Sequence, residues 1–201
     1  EDLINNCAGV EYLAISTGID SAQIATDLVM MHLTQVEDFR KKILRINTLA
    51  HHAKYQAYKG RAIAKFPIPD FMQMTMGVPF ADFQAMHYCL LGDRLLLAPT
   101  EKQLHWYIDA YNTGNLISSS NRFKTFNANL NAQYNYLYYL PIVGNEKKCA
   151  GILNEFTATN FTKPLSWSAY DGLAYQFSFD EQKVNTLFYL SKKLQVPNSL
   201  K

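Results

Sequence analysis

The clearest pattern of hydrophobic and polar positions begins at Met86. Residues 86–91 and 94–98 form two short runs of apolar or β-favouring residues. Between them stand Gly92 and Asp93, a pair that suits the positive φ angles of a two-residue turn. The pattern predicts a β-hairpin.

A helix is predicted directly after this hairpin. Thr100 can cap its first turn, and Gln103 three residues later completes a capping box. Apolar residues then recur at helical spacing, and Gly114 supplies a left-handed stop. The residues of this stripe are Leu104, Tyr107, Ile108 and Tyr111.

A second helix and a strand complete the region. After the serines at 118–120, one helical stripe carries Phe123, Phe126 and Leu130. Residues 134–140 are aromatic and β-favouring, and Pro141 closes the run. We therefore expect the order hairpin, two helices, strand.

The first half of the chain repeats this order more loosely. Residues 10–16 and 24–33 indicate strands, and Thr34 with Glu37 offers another capping box. An apolar seam then predicts a long helix that runs as far as Gly60, and residues 61–66 predict a returning strand. Towards the C-terminus we expect a short helix near residues 147–156 and a last hairpin, residues 169–179 with 184–191.

Hairpin, helix and strand thus occur twice, which predicts two loosely repeated units whose strands share one sheet. The expected fold is α+β, a largely antiparallel sheet with helices packed on one face. Residues 1–201 are expected to form a single domain, because no linker rich in Pro, Gly or Ser interrupts them. A division into subdomains 1–80 and 81–201 is the alternative.

Composition narrows the range of functions. Hydrophobic residues make up 48% of the chain and charged residues 18%, which indicates a globular protein and excludes intrinsic disorder. A formal net charge of +2, spread along the chain, argues against nucleic acid as a partner. No apolar run approaches the roughly 18 residues of a membrane-spanning helix, so we expect no membrane span.

Two groups of residues are weak candidates for metal binding. Met72, Met74 and Met76 alternate, so in a strand three thioethers would line one face, and soft thioethers select Cu(I). Methionine also fills irregular gaps in hydrophobic cores, which is the favoured interpretation here. His87 and Cys89 would likewise share a strand face, either as a fragment of a metal or nucleophile site or, more commonly, as a histidine beside a structural thiol.

No catalytic site is predicted, and no cofactor. Carboxylates that could pair for hydrolysis are Asp70, Glu155, Asp171 and Asp180, but most of them stand in turn-like contexts. The chain has no Gly-rich phosphate loop, no G-x-S-x-G elbow and no H-E-x-x-H helix. An enzyme is therefore the less favoured class.

The tyrosines of residues 134–140 are the best candidate for a binding surface. In a strand, Tyr134, Tyr136 and Tyr138 point to one face, and Tyr139 points to the other. A row of rigid, amphipathic rings can stack on a sugar or clamp a protein partner. The alternative, favoured by the general burial of strand aromatics, is a face covered by the two preceding helices.

Four segments of the second half carry a resemblance to a known family. They are YCLLGDRLLLA, TEKQLHWYIDAYNTGNLISSSNRFKTF, YNYLYYL and LAYQFSF, and the helix ends on a Tyr-x-x-Gly motif at Tyr111 to Gly114. Together they resemble predicted cell-envelope proteins of unknown function from Bacteroides-like bacteria. The resemblance implies an extracytoplasmic domain, often one piece of a larger anchored protein, and transfers no catalytic residue.

The sequence thus predicts a non-catalytic binding or structural module of a larger cell-envelope protein, in the periplasm or on the cell surface. Its partner would be an envelope protein or a glycan. A hydrolase or a copper-handling domain is the alternative.

Overall fold

The computed structural model describes residues 12–15, 28–50, 54–77, 80–142, 169–180 and 183–192. The chain divides into two compact units between Asn115 and Leu116. Each unit contains an antiparallel sheet together with helices, so the predicted α+β class is confirmed.

The first unit is built on a six-stranded antiparallel sheet. Its strands are β1 (Tyr12–Ile15), β2 (Leu28–His32), β3 (Tyr55–Tyr58), β4 (Arg61–Lys65), β5 (His87–Leu91) and β6 (Arg94–Ala98). Their order across the sheet is β1-β2-β6-β5-β4-β3. The described helices are α1 (Val36–Leu49), α2 (Phe71–Met76) and α3 (Glu101–Asn112).

Helices α1 and α2 pack on one face of this sheet. Phe39 and Ile43 of α1 and Phe71 of α2 form one buried cluster with strand residues that include Val29 and Leu97. Val29 and Leu97 are cross-strand partners and therefore point to the same side. This cluster is the larger part of the unit's core.

Helix α3 lies on the opposite face, so the expectation that helices cover one face only is wrong for this unit. Met30 follows Val29 in β2 and points the other way, where its Sδ atom lies 3.6 Å from the Tyr107 hydroxyl of α3. Leu96, the partner of Met30 in β6, is fully buried. The reason can be seen in β6, which is apolar at four consecutive positions, a pattern typical of a strand buried on both faces.

Helix α1 is shorter than predicted. It ends at Leu49, and strand β3 occupies part of the stretch predicted to be helical up to Gly60. The later part of the apolar seam consists of alanines, whereas Lys59 and Gly60 have φ angles of 45° and 77° and turn β3 back onto β4. The helix begins one residue later than the predicted Thr34 cap, with Gln35 at the N-cap and no side-chain hydrogen bond there.

The hairpin and helix predicted from Met86 onwards are confirmed. Gly92 has a φ of +62° in the turn between β5 and β6. The Thr100 backbone N–H donates to Oε1 of Gln103 at 2.9 Å within a capping box. Gly114 has a φ of +69°, and the Asn115 N–H donates to the carbonyl of Ala110 at 2.8 Å, which closes α3 with a Schellman motif.

The second unit contains a three-stranded antiparallel sheet. Its described elements are the 3₁₀ turn Ile117–Ser119, helix α4 (Asn121–Asn127) and strands β7 (Tyr136–Pro141), β8 (Tyr170–Asp180) and β9 (Lys183–Lys192), in the order β7-β8-β9. The Ser120 hydroxyl accepts from the Phe123 N–H at 3.1 Å and caps α4. The antiparallel pair of β8 and β9 confirms the predicted last hairpin. The predicted helix near residues 147–156 lies outside the described residues.

Two expectations about long-range organisation need correction. The predicted hairpin-helix-strand units do not share one sheet, because the closing strand of the second, β7, belongs to the three-stranded sheet. The structure also divides the chain elsewhere than near residue 80, since β4 and β5, on either side of that position, are paired neighbours. The division follows the Gly114 stop of α3.

Candidate functional site

Six aromatic rings share one face of the three-stranded sheet. Cross-strand partners point to the same side, and the register pairs Tyr136 with Phe177, Tyr138 with Tyr175, and Tyr175 with Phe188. Phe179 lies two positions beyond Phe177 on the same side. We call this surface the aromatic face: Tyr136, Tyr138, Tyr175, Phe177, Phe179 and Phe188.

Helix α4 covers the other face of the sheet. Its Phe126 ring is 3% exposed and meets Tyr139 and Tyr189 edge-on, with centroid distances of 4.8 and 5.0 Å. Gly172 makes room for this ring, because a Cβ at that position would stand 3.0 Å from Cε2 of Phe126. Aromatic residues therefore lie on both sides of the sheet, and the helix packs against one side.

A polar contact lies on the same, helix-covered side of the sheet. Gln176 is 2% exposed, its Oε1 accepts from the Asn131 N–H, and its Nε2 donates to the Asn131 carbonyl, each at 3.0 Å. A buried amide that is satisfied twice stabilises the loop after α4 against β8.

The aromatic face is substantially exposed at the end near the β8–β9 turn. Phe179, Phe188 and Tyr136 are 60%, 41% and 40% exposed, and Val184, the cross-strand partner of Phe179, is exposed as well. At the other end of the same face Leu173 is buried in a small apolar cluster with Ile142. The exposed end is thus a continuous patch of apolar side chains.

The rings of the patch contact one another. Tyr175 meets Phe177 edge-on at a centroid distance of 4.4 Å, and Tyr136 lies 5.8 Å from Phe177. Phe177 and Phe179 are nearly parallel, with an interplanar angle of 11° and centroids 6.4 Å apart. These contacts fix the rings relative to one another and leave part of the surface accessible.

Two of the three tyrosines predicted as a binding surface lie on this face. Tyr136 and Tyr138 are in β7, and Tyr134 is exposed but precedes the strand. The expectation that the preceding helices cover the tyrosine row is wrong for α4, which contacts Tyr139 on the opposite side. The alternation of aromatic residues in LAYQFSF is the sequence signal that would have added Tyr175, Phe177 and Phe179.

The methionines proposed as a copper site do not line one face. Residues 71–76 form helix α2 instead of a strand, so positions two apart point in different directions. Met72 is fully buried, Met76 packs against the core, and Met74 is exposed. Met72 and Met76 therefore have the core role that the sequence favoured over a copper site.

His87 and Cys89 do not form a nucleophile pair. Burial raises the pKa of the Cys89 thiol to about 11, so the thiol is protonated at neutral pH. Nδ1 of His87 lies 3.2 Å from the Pro99 carbonyl, and its Nε2 lies 3.5 Å from Oε1 of Glu101 at the start of α3. Within the described ranges, no group of three or more His, Cys, Asp or Glu residues could hold a metal ion.

Of the four carboxylates considered for hydrolysis, two accept hydrogen bonds from neighbouring side chains. Asp70 accepts from Nε2 of Gln84 at 2.9 Å, and Asp171 accepts from Arg122 at 2.7 Å. Asp180 ends β8, and Glu155 lies outside the described residues.

A polar cluster joins the β3–β4 hairpin to helix α3. Nζ of Lys59 lies 2.8 Å from Oδ1 of Asp109, the Tyr58 hydroxyl donates to the same carboxylate at 3.0 Å, and the Tyr58 ring stacks on His105. The hydrogen bond from Lys59 lowers the pKa of Asp109, and desolvation followed by the bond to Asp109 raises the pKa of Tyr58. Both shifts favour the ordinary ionisation states, so the cluster joins two elements and is not an acid–base pair.

Comparisons of the chain with protein-family models, with curated proteins and with solved structures found no match. In the part of the chain that the structure describes, no helix combines the length and apolar character needed to span a membrane. The fold and the site together define an α+β protein whose candidate site is an exposed aromatic sheet surface.

Proposed function

We propose that this chain is a non-catalytic binding module and that the aromatic face is its ligand surface. The observation that carries the proposal is the position of helix α4, which covers the Tyr139 side of the sheet while Phe179 and Phe188 on the other side remain exposed. Burying such a side chain is worth about 1.5–3 kcal/mol, so an exposed cluster of rings provides free energy for binding a partner.

The size of the patch supports a functional role. With about 150–250 Å² for each aromatic side chain, the exposed parts of Tyr136, Phe179 and Phe188, together with Val184, amount to roughly 400 Å². Contiguous apolar patches of this size are the largest that monomers usually carry and are often functional. Single exposed hydrophobic residues elsewhere, such as Leu49, need no such explanation.

We place this module in the cell envelope, as part of a larger protein. The support is the resemblance of the second half to envelope proteins, which includes the segments YNYLYYL and LAYQFSF that form much of the aromatic face. Fractionation of the source cells, followed by an antibody against this chain, tests the location. Recovery with cytosolic markers alone would contradict it.

Binding is tested with two unbiased probes, a glycan array and a phage-displayed random peptide library, each presented to the full chain. A ligand selected from either one should bind at least about tenfold more weakly to the double variant Phe179→Ala/Phe188→Ala. Ile117→Ala is the matched control, because Ile117 is 54% exposed in the same unit but lies outside the sheet. Absence of any ligand, or ligands that bind the double variant unchanged, would refute the proposed function.

A further inference from the structure

The exposed part of the aromatic face carries no charge. Its cross-strand positions hold Tyr136, Tyr138, Tyr175, Phe177, Phe179 and Phe188, continued by Val184 and Thr186. Among these described residues there is no carboxylate, amine, guanidinium or imidazole. A charged ligand would lose hydration here without gaining an ion pair, so the face complements an uncharged surface.

The shape of the face favours a ligand that stacks. Phe177 and Phe179 are nearly parallel along one strand, with an interplanar angle of 11° and centroids 6.4 Å apart, and Phe179 is 60% exposed. A sugar ring presents C–H groups on its faces, and these groups can pack on an aromatic ring such as the exposed Phe179.

The area argues against a second protein chain. If two copies paired through this patch of roughly 400 Å² each, they would bury about 800 Å² in total, less than the roughly 1,200–2,000 Å² of a stable, specific interface. A short oligosaccharide needs a smaller footprint and binds with contacts to one side of its rings. The exposed patch is therefore large enough for a glycan and small for a protein partner.

We infer that the ligand of the aromatic face is a neutral glycan, whose sugar rings stack along β8 on Phe177 and Phe179. This inference rests on the proposed function and names its ligand class. It requires that an aromatic ring at position 179 supports binding, whether that ring belongs to phenylalanine or to tyrosine. It also requires that binding depends little on salt, because no ion pairs form.

Isothermal titration of the full chain with neutral gluco-, xylo- and manno-oligosaccharides, alongside heparin and polygalacturonate as anionic probes, tests the inference. A neutral oligosaccharide should bind, Phe179→Ala should weaken it about tenfold or more, and Phe179→Tyr should retain affinity within about threefold. Ile117→Ala should leave the affinity unchanged. A tenfold increase in NaCl should change the affinity of the neutral sugar by less than about twofold.

The outcomes separate the glycan inference from the proposed function. A peptide from the display library that binds through Phe179 and Phe188, with no neutral sugar bound, would overturn the glycan and leave the binding face intact. Binding of the anionic polymers alone, with strong salt dependence, would also overturn the glycan. No ligand of any class at this face would overturn both.

Discussion

Phe126 is the side chain that ties helix α4 to the three-stranded sheet. It is 3% exposed and makes edge-on contacts with Tyr139 and Tyr189. Beneath it lies Gly172, which has no side chain that could fill the space left by a smaller residue. Phe126→Ala therefore creates a cavity on the helix-covered side and leaves the aromatic face untouched.

The expected loss of stability follows from these contacts. Truncation of a buried Phe to Ala costs about 3–5 kcal/mol, of which each aromatic pair contributes about 0.5–1.5 kcal/mol. Phe126→Ala should thus lower the free energy of unfolding by about 4 kcal/mol. Phe123→Ala, at a half-buried residue with one ring contact to Tyr139 at 4.9 Å, should cost about 1–2 kcal/mol. Phe179→Ala, at a ring that is 60% exposed, should cost less than about 1 kcal/mol.

Urea denaturation followed by circular dichroism gives the overall order of the three variants. Hydrogen exchange measured on peptides from β8 reports the same order locally, even where the two units unfold separately. If Phe179→Ala destabilised the protein as much as Phe126→Ala, the aromatic face would be the core side. The assignment of a binding surface would then fail together with the packing of α4.

Three further predictions concern the first unit. Cys89 should resist alkylation in the folded state. Burial raises the pKa of its thiol from the ordinary 9.0 to about 11, so between pH 9 and 11 only the unfolded thiol ionises and the stability of the protein should fall. Cys89→Ala should remove that part of the measured pH dependence. Asp109→Asn should destabilise the protein at neutral pH, and since Lys59 lowers the folded pKa of Asp109, the denaturation curves of the two proteins should converge as pH falls below the ordinary carboxyl pKa; a gap unchanged in acid would contradict this. Gly114→Ala should cost about 1–2 kcal/mol in thermal denaturation because φ is +69°, with Gly114→Asn costing less; equal stability of the glycine and alanine proteins would exclude strain at this stop.

The sequence predicts the region from Met86 to Gly114 well because its signals are local. The turn at Gly92, the capping box at Thr100 and the left-handed stop at Gly114 each depend on residues within a few positions of one another. Agreement between turn chemistry, capping and hydrophobic period is what allows such a segment to be predicted from one sequence.

The errors occur where tertiary contacts decide between local alternatives. Residues 55–58 fit the alanine seam of a helix, but the left-handed turn at Lys59 and Gly60 lets them pair with β4. Residues 71–76 alternate like a strand, yet methionine is a good helix former and Phe71 with Met72 can bury in the core from one turn of helix. Short apolar segments carry too few periods to separate the two cases.

At the candidate site, too, the local pattern leaves a choice that tertiary contacts decide. Alternation establishes that Tyr136 and Tyr138 share a face, but both sides of the sheet are aromatic, so hydrophobicity alone does not tell which side the helix covers. Gly172 favours the Tyr139 side, since the absence of a Cβ leaves space for the ring of Phe126. Gly172 is distant in sequence from Phe126, and its importance depends on the register of β7 with β8. The side on which α4 packs therefore depends on residues from elements that are distant in sequence, which a reading of one strand at a time does not detect.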